Sequence, residues 1–190
     1  PADHIITTIE PFWELLKQAE TIASKNYLVT LGIKPASPET GYGYIKQGKA
    51  IEGNSFKVDR FIEKPNKITA EKYLKENGYY WNSGMFVWKA SILLEEINMH
   101  LPKLYEQLKE LVDNTFQSKG KYPYQKLNES GKKSFYSLES ISVDHGVMEK
   151  SNKVAVLPAS ITWNDVGTWT SLAEISKKDQ EGNVIKGNVI

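Results

Sequence analysis

His4-Ile5-Ile6-Thr7-Thr8 is a short β-branched run, and Tyr27-Leu28-Val29-Thr30-Leu31 is a second, compact and apolar. Between them Phe12, Leu15, Leu16, Ala19, Ile22 and Ala23 recur at helical spacing, which predicts a helix over 10–26 with one buried face. Pro11 suits the first turn of that helix, where no backbone donor is needed. Gly32 and Pro35 end the second strand. Strand, helix, strand is the grammar of an α/β sheet. Working outward, 42–46 and 56–63 read as strands separated by a turn bearing Gly48 and Gly53, with Pro65 closing the second. The expectation is an α/β fold with a mixed, mostly parallel sheet flanked by helices.

Further along, Thr69 is placed to cap a short helix ending before Gly78. A strand is expected at 85–88 and a helix at 91–97. Leu101, Leu104, Tyr105, Leu108, Leu111 and Val112 mark a cleaner amphipathic helix with Pro102 in its first turn. The stretch 113–135 has little periodicity. A strand at 154–157 is closed by Pro158, and a short helix is expected at 168–175. Gly-Asn-Val-Ile occurs at 182–185 and again at 187–190, which suggests turns and strands opening another module.

The 190 residues suffice for one substantial core. Twenty-four Lys and Arg against 23 Asp and Glu leave a net charge of +1, which points to neither nucleic acid nor an anionic membrane as partner. There is no cysteine, so disulfides, thiolate metal sites and cysteine nucleophiles are excluded. Three scattered histidines make a poor transition-metal set. No apolar run approaches the roughly 20 residues of a membrane helix, and the start does not read as a signal peptide. A cytoplasmic location is the expectation.

Neither G-x-G-x-x-G nor G-x-x-x-x-G-K-[ST] occurs. Carboxylates nonetheless stand where phosphate chemistry would use them. Asp3, in Pro1-Ala2-Asp3-His4, could hold a hard cation or form an Asx turn. Asp165 lies between Trp163 and Trp169 with Gly167 following, either a walled carboxylate or the cap of a helix. Glu63 can accept two sugar hydroxyls and Lys64 can reach a phosphate; the alternative is a surface ion pair. Gly41 and Gly43 would admit a ligand to backbone N–H groups or simply form a hairpin turn. Asn82, among Trp81, Met85, Phe86 and Trp88, offers donors and an acceptor to a sugar hydroxyl, or is a satisfied structural residue in a tight turn. Asp144 and Lys150 form a second polar pair around His145.

A series of stretches resembles the mannose-1-phosphate guanylyltransferases, within the sugar-nucleotide pyrophosphorylases. They are Pro-Ala-Asp-His at 1–4, Leu-Gly-Ile-Lys-Pro at 31–35, Glu-Thr-Gly-Tyr-Gly-Tyr-Ile at 39–45 and Phe-Ile-Glu-Lys-Pro at 61–65. Trp-Asn-Ser-Gly-Met-Phe at 81–86, Val-Met-Glu-Lys at 147–150 and Trp-Asn-Asp-Val-Gly-Thr-Trp at 163–169 complete it. The resemblance implies a glycosyltransferase-A-like nucleotidyltransferase fold. It implies conversion of mannose 1-phosphate and GTP to GDP-mannose and pyrophosphate. It further implies Mg²⁺ on Asp3 and Asp165, sugar held by the Gly43 backbone, Glu63 and Asn82, and sugar phosphate by Lys64, with Lys150 near the phosphates. Asp3, Lys64 and Asp165 would be the catalytic set.

Members of that family carry a first strand and a Gly-rich loop before the Pro-Ala-Asp-His stretch. The expectation is therefore a partial fold lacking its N-terminal nucleotide-binding part. On that reading 1–181 is the C-terminal portion of a nucleotidyltransferase domain, and 182–190 is a linker or the onset of a β-rich module. The chain would carry mainly the sugar-phosphate half, be inactive alone, and meet GTP through an upstream segment. Exposed sheet edges would then favour a homodimer. A pyrophosphorylase for another hexose 1-phosphate, or a non-catalytic sugar-phosphate-binding subunit, are the alternatives.

Overall fold

The computed structural model describes residues 3–117, 125–185 and 187. The strands are β1 (Ile5–Ile6), β2 (Leu28–Ile33), β3 (Tyr44–Ala50), β4 (Phe56–Ile62), β5 (Tyr79–Val87), β6 (Thr115–Gln117), β7 (Gln125–Leu127), β8 (Val154–Ala159) and β9 (Trp163–Asn164). The helices are α1 (Ile9–Ala23), α2 (Lys67–Lys75), α3 (Ala90–His100), α4 (Pro102–Asp113), α5 (Glu129–Tyr136) and α6 (Trp169–Ile175), with a π-helical turn at Asp144–Met148.

The expected mixed, mostly parallel sheet flanked by helices does not form. Five strands close into a barrel in the order β2-β5-β3-β4-β8. Only β2 and β8 run parallel; the β2–β5, β5–β3, β3–β4 and β4–β8 pairs are antiparallel. The reason lies in the connections. A short turn, in which the Ile51 N–H donates to the Ser55 carbonyl and the Ser55 N–H to the Glu52 carbonyl, folds β4 straight back on β3. A direct return of this kind can only be antiparallel. Pairing of Phe56 with Val156 and Lys57 with Ala155 then closes the barrel. The strand–helix–strand reading fails at its first member, because β1 never joins the sheet of β2. It pairs instead with β9, Ile5 opposite Asn164 and Ile6 opposite Trp163.

β2 is buried at every position, as a strand covered on both faces must be. One side of the barrel wall is sealed by α1 through Leu15, Ala19, Ile22 and Ala23, which pack with Val29, Leu31, Tyr44, Ala155 and Leu157. On the other, Val147 and Met148 of the π-helical turn join Leu28, Ile45, Phe61, Ile92, Val154 and Val156. α2 is capped by Asn66, whose Oδ1 accepts the Thr69 N–H at 2.9 Å, so Thr69 receives the cap rather than supplying it. Pro158 does not end β8, which continues to Ala159. Residues 118–124, within the stretch of low periodicity, and part of the second Gly-Asn-Val-Ile copy lie outside the described residues. No helix among the described residues is long and apolar enough to cross a membrane.

Candidate active site

At one end of the barrel a cleft of about 190 Å³ is lined by residues from six stretches that are distant in sequence. Gly43 enters just before β3, Glu63 and Lys64 follow β4, and Asn82 stands on β5. Asp144 opens the π-helical turn, and His4, Trp163 and Asp165 come from the β1–β9 ribbon and its flanks. Five of the seven residues to which the family resemblance gives a role therefore line one cleft: Gly43, Glu63, Lys64, Asn82 and Asp165. Asp3 and Lys150 are exposed and are not among the lining residues.

Asn82 lies in the interior of β5, not in a tight turn. Its Oδ1 accepts from Thr30 Oγ1 at 2.9 Å and from the Gly84 N–H at 3.1 Å. The Gly84 N–H can only donate, which orients the amide. Nδ2 donates to Asp144 Oδ1 at 3.0 Å. An amide nitrogen carries two donors, so Asn82 presents one remaining N–H to a ligand and no acceptor capacity.

Glu63 follows β4 with its side chain 14% exposed and its Oε2 buried without a hydrogen-bond partner. A Cβ at Gly43 would stand 2.5 Å from that oxygen, so the glycine leaves the space the carboxylate occupies. Burial raises the Glu63 carboxyl above its ordinary value, and nearby Asp144 adds to the rise while Lys64 opposes it. Lys64 Nζ lies 3.6 Å from Glu63 Oε1. Lys64 itself has φ +48°, in the left-handed region that non-glycine residues seldom occupy.

Asp165 is fixed on the opposite wall. Its Oδ1 accepts from Tyr42 Oη at 2.8 Å and from the Gly167 N–H at 3.2 Å. Tyr42 is wedged edge-on between Trp81 and Trp163, with ring centroids 5.1 and 5.5 Å away. The cap of α6 is Thr168, whose Oγ1 accepts the Ser171 N–H at 3.0 Å, so Asp165 is not spent on a helix end. Val166 has φ +52°, a costly conformation for a β-branched residue. Its N–H bonds to Asn164 Oδ1 at 2.7 Å, which holds the bend that turns Asp165 into the cleft. His4 accepts from Trp163 Nε1 at 3.1 Å. Burial lowers the His4 pKa, and the charges of Asp3 and Asp165 oppose that shift.

Sequence reasoning passed over Tyr42, Thr30 and Glu149. Tyr42 stood inside the glycine pair and was overshadowed by it; Glu149 stood beside Lys150. Glu149 Oε1 accepts the Glu63 backbone N–H at 3.0 Å, a contact with no side-chain signature.

Carboxylates, one lysine and a single amide donor around a small cleft equip a protein to act on hydroxylated, phosphorylated small molecules. A family model described as Nucleotidyl transferase matches residues 1–182, and the chain belongs to that family. That match overturns the expectation of a chain lacking the family's N-terminal nucleotide-binding part, for nucleotidyl transferase sequence runs from residue 1 through nearly the whole chain. The expectation rests on a missing Gly-rich loop, and a short loop motif does not measure a domain.

Among relatives, the mannose-1-phosphate guanylyltransferase of Escherichia coli is 38% identical over 194 residues, covering 100% of this chain and 40% of its own length. The chain thus spans about two fifths of the curated relatives it matches. A structure described as mannose-1-phosphate geranyltransferase from Thermus thermophilus superposes with a TM-score of 0.79 at 34% identity, covering 94% of this chain and 49% of that one. A mannose-6-phosphate isomerase from Helicobacter pylori superposes with 0.77 at 31% identity, covering 87% and 62%. Those two proteins bear the names of different reactions, so they carry the fold here and not the activity.

Proposed function

We propose that this chain binds mannose 1-phosphate and serves its joining to GTP, giving GDP-mannose and pyrophosphate. The observation that carries the proposal is the convergence of Glu63, Lys64, Asn82 and Gly43 opposite Asp165, in a chain 38% identical to a mannose-1-phosphate guanylyltransferase. On this reading Glu63 accepts sugar hydroxyls, the remaining Asn82 N–H donates to a sugar oxygen, and Lys64 meets the phosphate. A phosphate oxygen of the sugar phosphate attacks the α-phosphorus of GTP, and the bond to the β-phosphate breaks to release pyrophosphate. The nucleophile is already an anion, so the residues chiefly position two anions and offset their repulsion.

Mg²⁺ fits this donor set. It takes one or two carboxylates and completes its shell with water and substrate phosphates. Asp165 keeps Oδ2 outside the hydrogen bonds that hold Oδ1. Among the described residues there is no group of three or more ligand-type side chains that could hold a metal. Asp3 and Asp165 would hold the ion, which supplies charge neutralisation at the transferring phosphoryl group.

The test is pyrophosphate release by the full-length protein with Mg²⁺ and a panel of hexose 1-phosphates and nucleoside triphosphates. Preference for mannose 1-phosphate with GTP supports the reading. Turnover of another pair, or of none, overturns it.

A further inference from the structure

The π-helical turn Asp144–Met148 ends at Glu149, whose N–H bonds to the Asp144 carbonyl at 2.9 Å. The turn is seated firmly. Val147 and Met148 are each 1% exposed, and a Cβ on Gly146 would lie 2.7 Å from Leu101 Cδ1. Its two ends reach the cleft by different routes. Asp144 meets Asn82 directly. Glu149 does not line the cleft, but its Oε1 accepts the Glu63 N–H at 3.0 Å while Oε2 lies 3.1 Å from His145 Nδ1. The residue directly after Glu63 is the left-handed Lys64, so this bond ties the backbone at the point where β4 leaves the barrel and the strained turn begins. Such conformations persist when surrounding contacts over-determine them.

We propose, resting on the function above, that Glu149 is a positioning residue of the sugar-phosphate cleft. It acts through the Glu63 backbone to aim the Glu63 carboxylate and the Lys64 ammonium, and His145 orients its carboxylate. The interaction is with the sugar-phosphate side of the cleft, so its loss changes recognition of one substrate selectively.

The test compares Glu149→Ala, Glu149→Asp and Glu149→Gln in the full-length protein, with each substrate varied separately and melting temperature measured alongside. Glu149→Ala loses a hydrogen bond to a charged acceptor and should raise KM for mannose 1-phosphate about tenfold or more, with KM for GTP unchanged. Glu149→Gln keeps an oxygen for the Glu63 N–H and should recover most of that loss. Glu149→Asp withdraws the oxygens by one methylene and gives the same split should the alanine variant not fold. Equal changes in both KM values, no change in either, or a glutamine variant as impaired as alanine overturns the proposal. An unmutated protein inactive on mannose 1-phosphate refutes the proposed function itself, and the inference falls with it; an active parent without the split refutes the inference alone.

Discussion

Replacing Gly43 by alanine should damage the cleft while sparing the fold. The new Cβ would stand 2.5 Å from Glu63 Oε2 and 3.2 Å from Asn82 Cβ, whereas ordinary contact begins at 3.4 Å. Asn82 cannot give way readily, since its amide is tied to Thr30, Gly84 and Asp144 and its backbone N–H to the Gly43 carbonyl. The Glu63 carboxylate must therefore retreat, by about 0.9 Å if Cβ and oxygen are to reach ordinary contact. A misplacement of about 1 Å in a positioned group can cost about a hundredfold in rate, or about 2.7 kcal/mol. Gly43 does not occupy the left-handed region, so alanine adds no backbone strain and slightly restricts the unfolded chain. The assay is initial-rate pyrophosphate release by the full-length protein over a range of mannose 1-phosphate, beside a thermal melt. The expected result is kcat/KM down about a hundredfold at an unchanged melting temperature. A loss below about threefold, or one matched by a collapse in melting temperature, would refute the reasoning.

Further outcomes follow from the same geometry. On the proposed function Glu63 accepts sugar hydroxyls on both oxygens only when ionised, since protonation turns one oxygen into a donor, and burial with Asp144 raises its carboxyl; recognition should weaken on acidification at a higher pH than an ordinary carboxyl would dictate. Asp144→Asn keeps an acceptor for Asn82 but removes the charge, so the acidic limb of the pH–rate profile should move to lower pH; a limb that stays or rises contradicts this. Val166→Gly relieves a left-handed β-branched residue, a strain of about 1–3 kcal/mol offset by about 0.5–1 kcal/mol of chain entropy; the melting temperature should hold or rise while turnover falls, because Asp165 is less firmly aimed, and unchanged turnover would count against that role. Glu96 is 1% exposed, with Lys153 Nζ at 3.0 Å and His100 Nε2 at 3.3 Å. Burial alone would raise its carboxyl, but the Ser151 and Lys153 partners and the Lys153 and His100 charges outweigh burial and lower it; its stabilisation is therefore present above the ordinary 4.5 and lost as pH falls toward the lowered value. Acid melts of Glu96→Gln should show a flatter dependence in that window.

What could be read in the sequence was local. Leu15, Ala19 and Ile22 sit on one face of α1 because helical spacing is a property of one segment. β2 was visible as the compact apolar run ending at Leu31, but Gly32 does not end it, and the strand continues to Ile33. Barrel closure was not visible, since alternation marks which face a residue takes and says nothing of which strand lies beside it; Phe56 opposite Val156 is a pairing across a hundred positions. The same limit misled at Ile5–Ile6, whose β-branched run fits a sheet edge and a two-residue ribbon equally well. At the cleft the chemical type of each residue was legible and its remaining hydrogen-bond capacity was not. Asn82 read as donor and acceptor together; Thr30 and Gly84 occupy its oxygen and Asp144 one of its protons, which leaves a single donor. Glu149 read as a neighbour of Lys150, because the π-helical turn shifts the helical register by one residue and its partner is a backbone N–H. A ligand therefore meets what the protein has not already used, and at this cleft Thr30, Gly84 and Asp144 decide what Asn82 has left to offer.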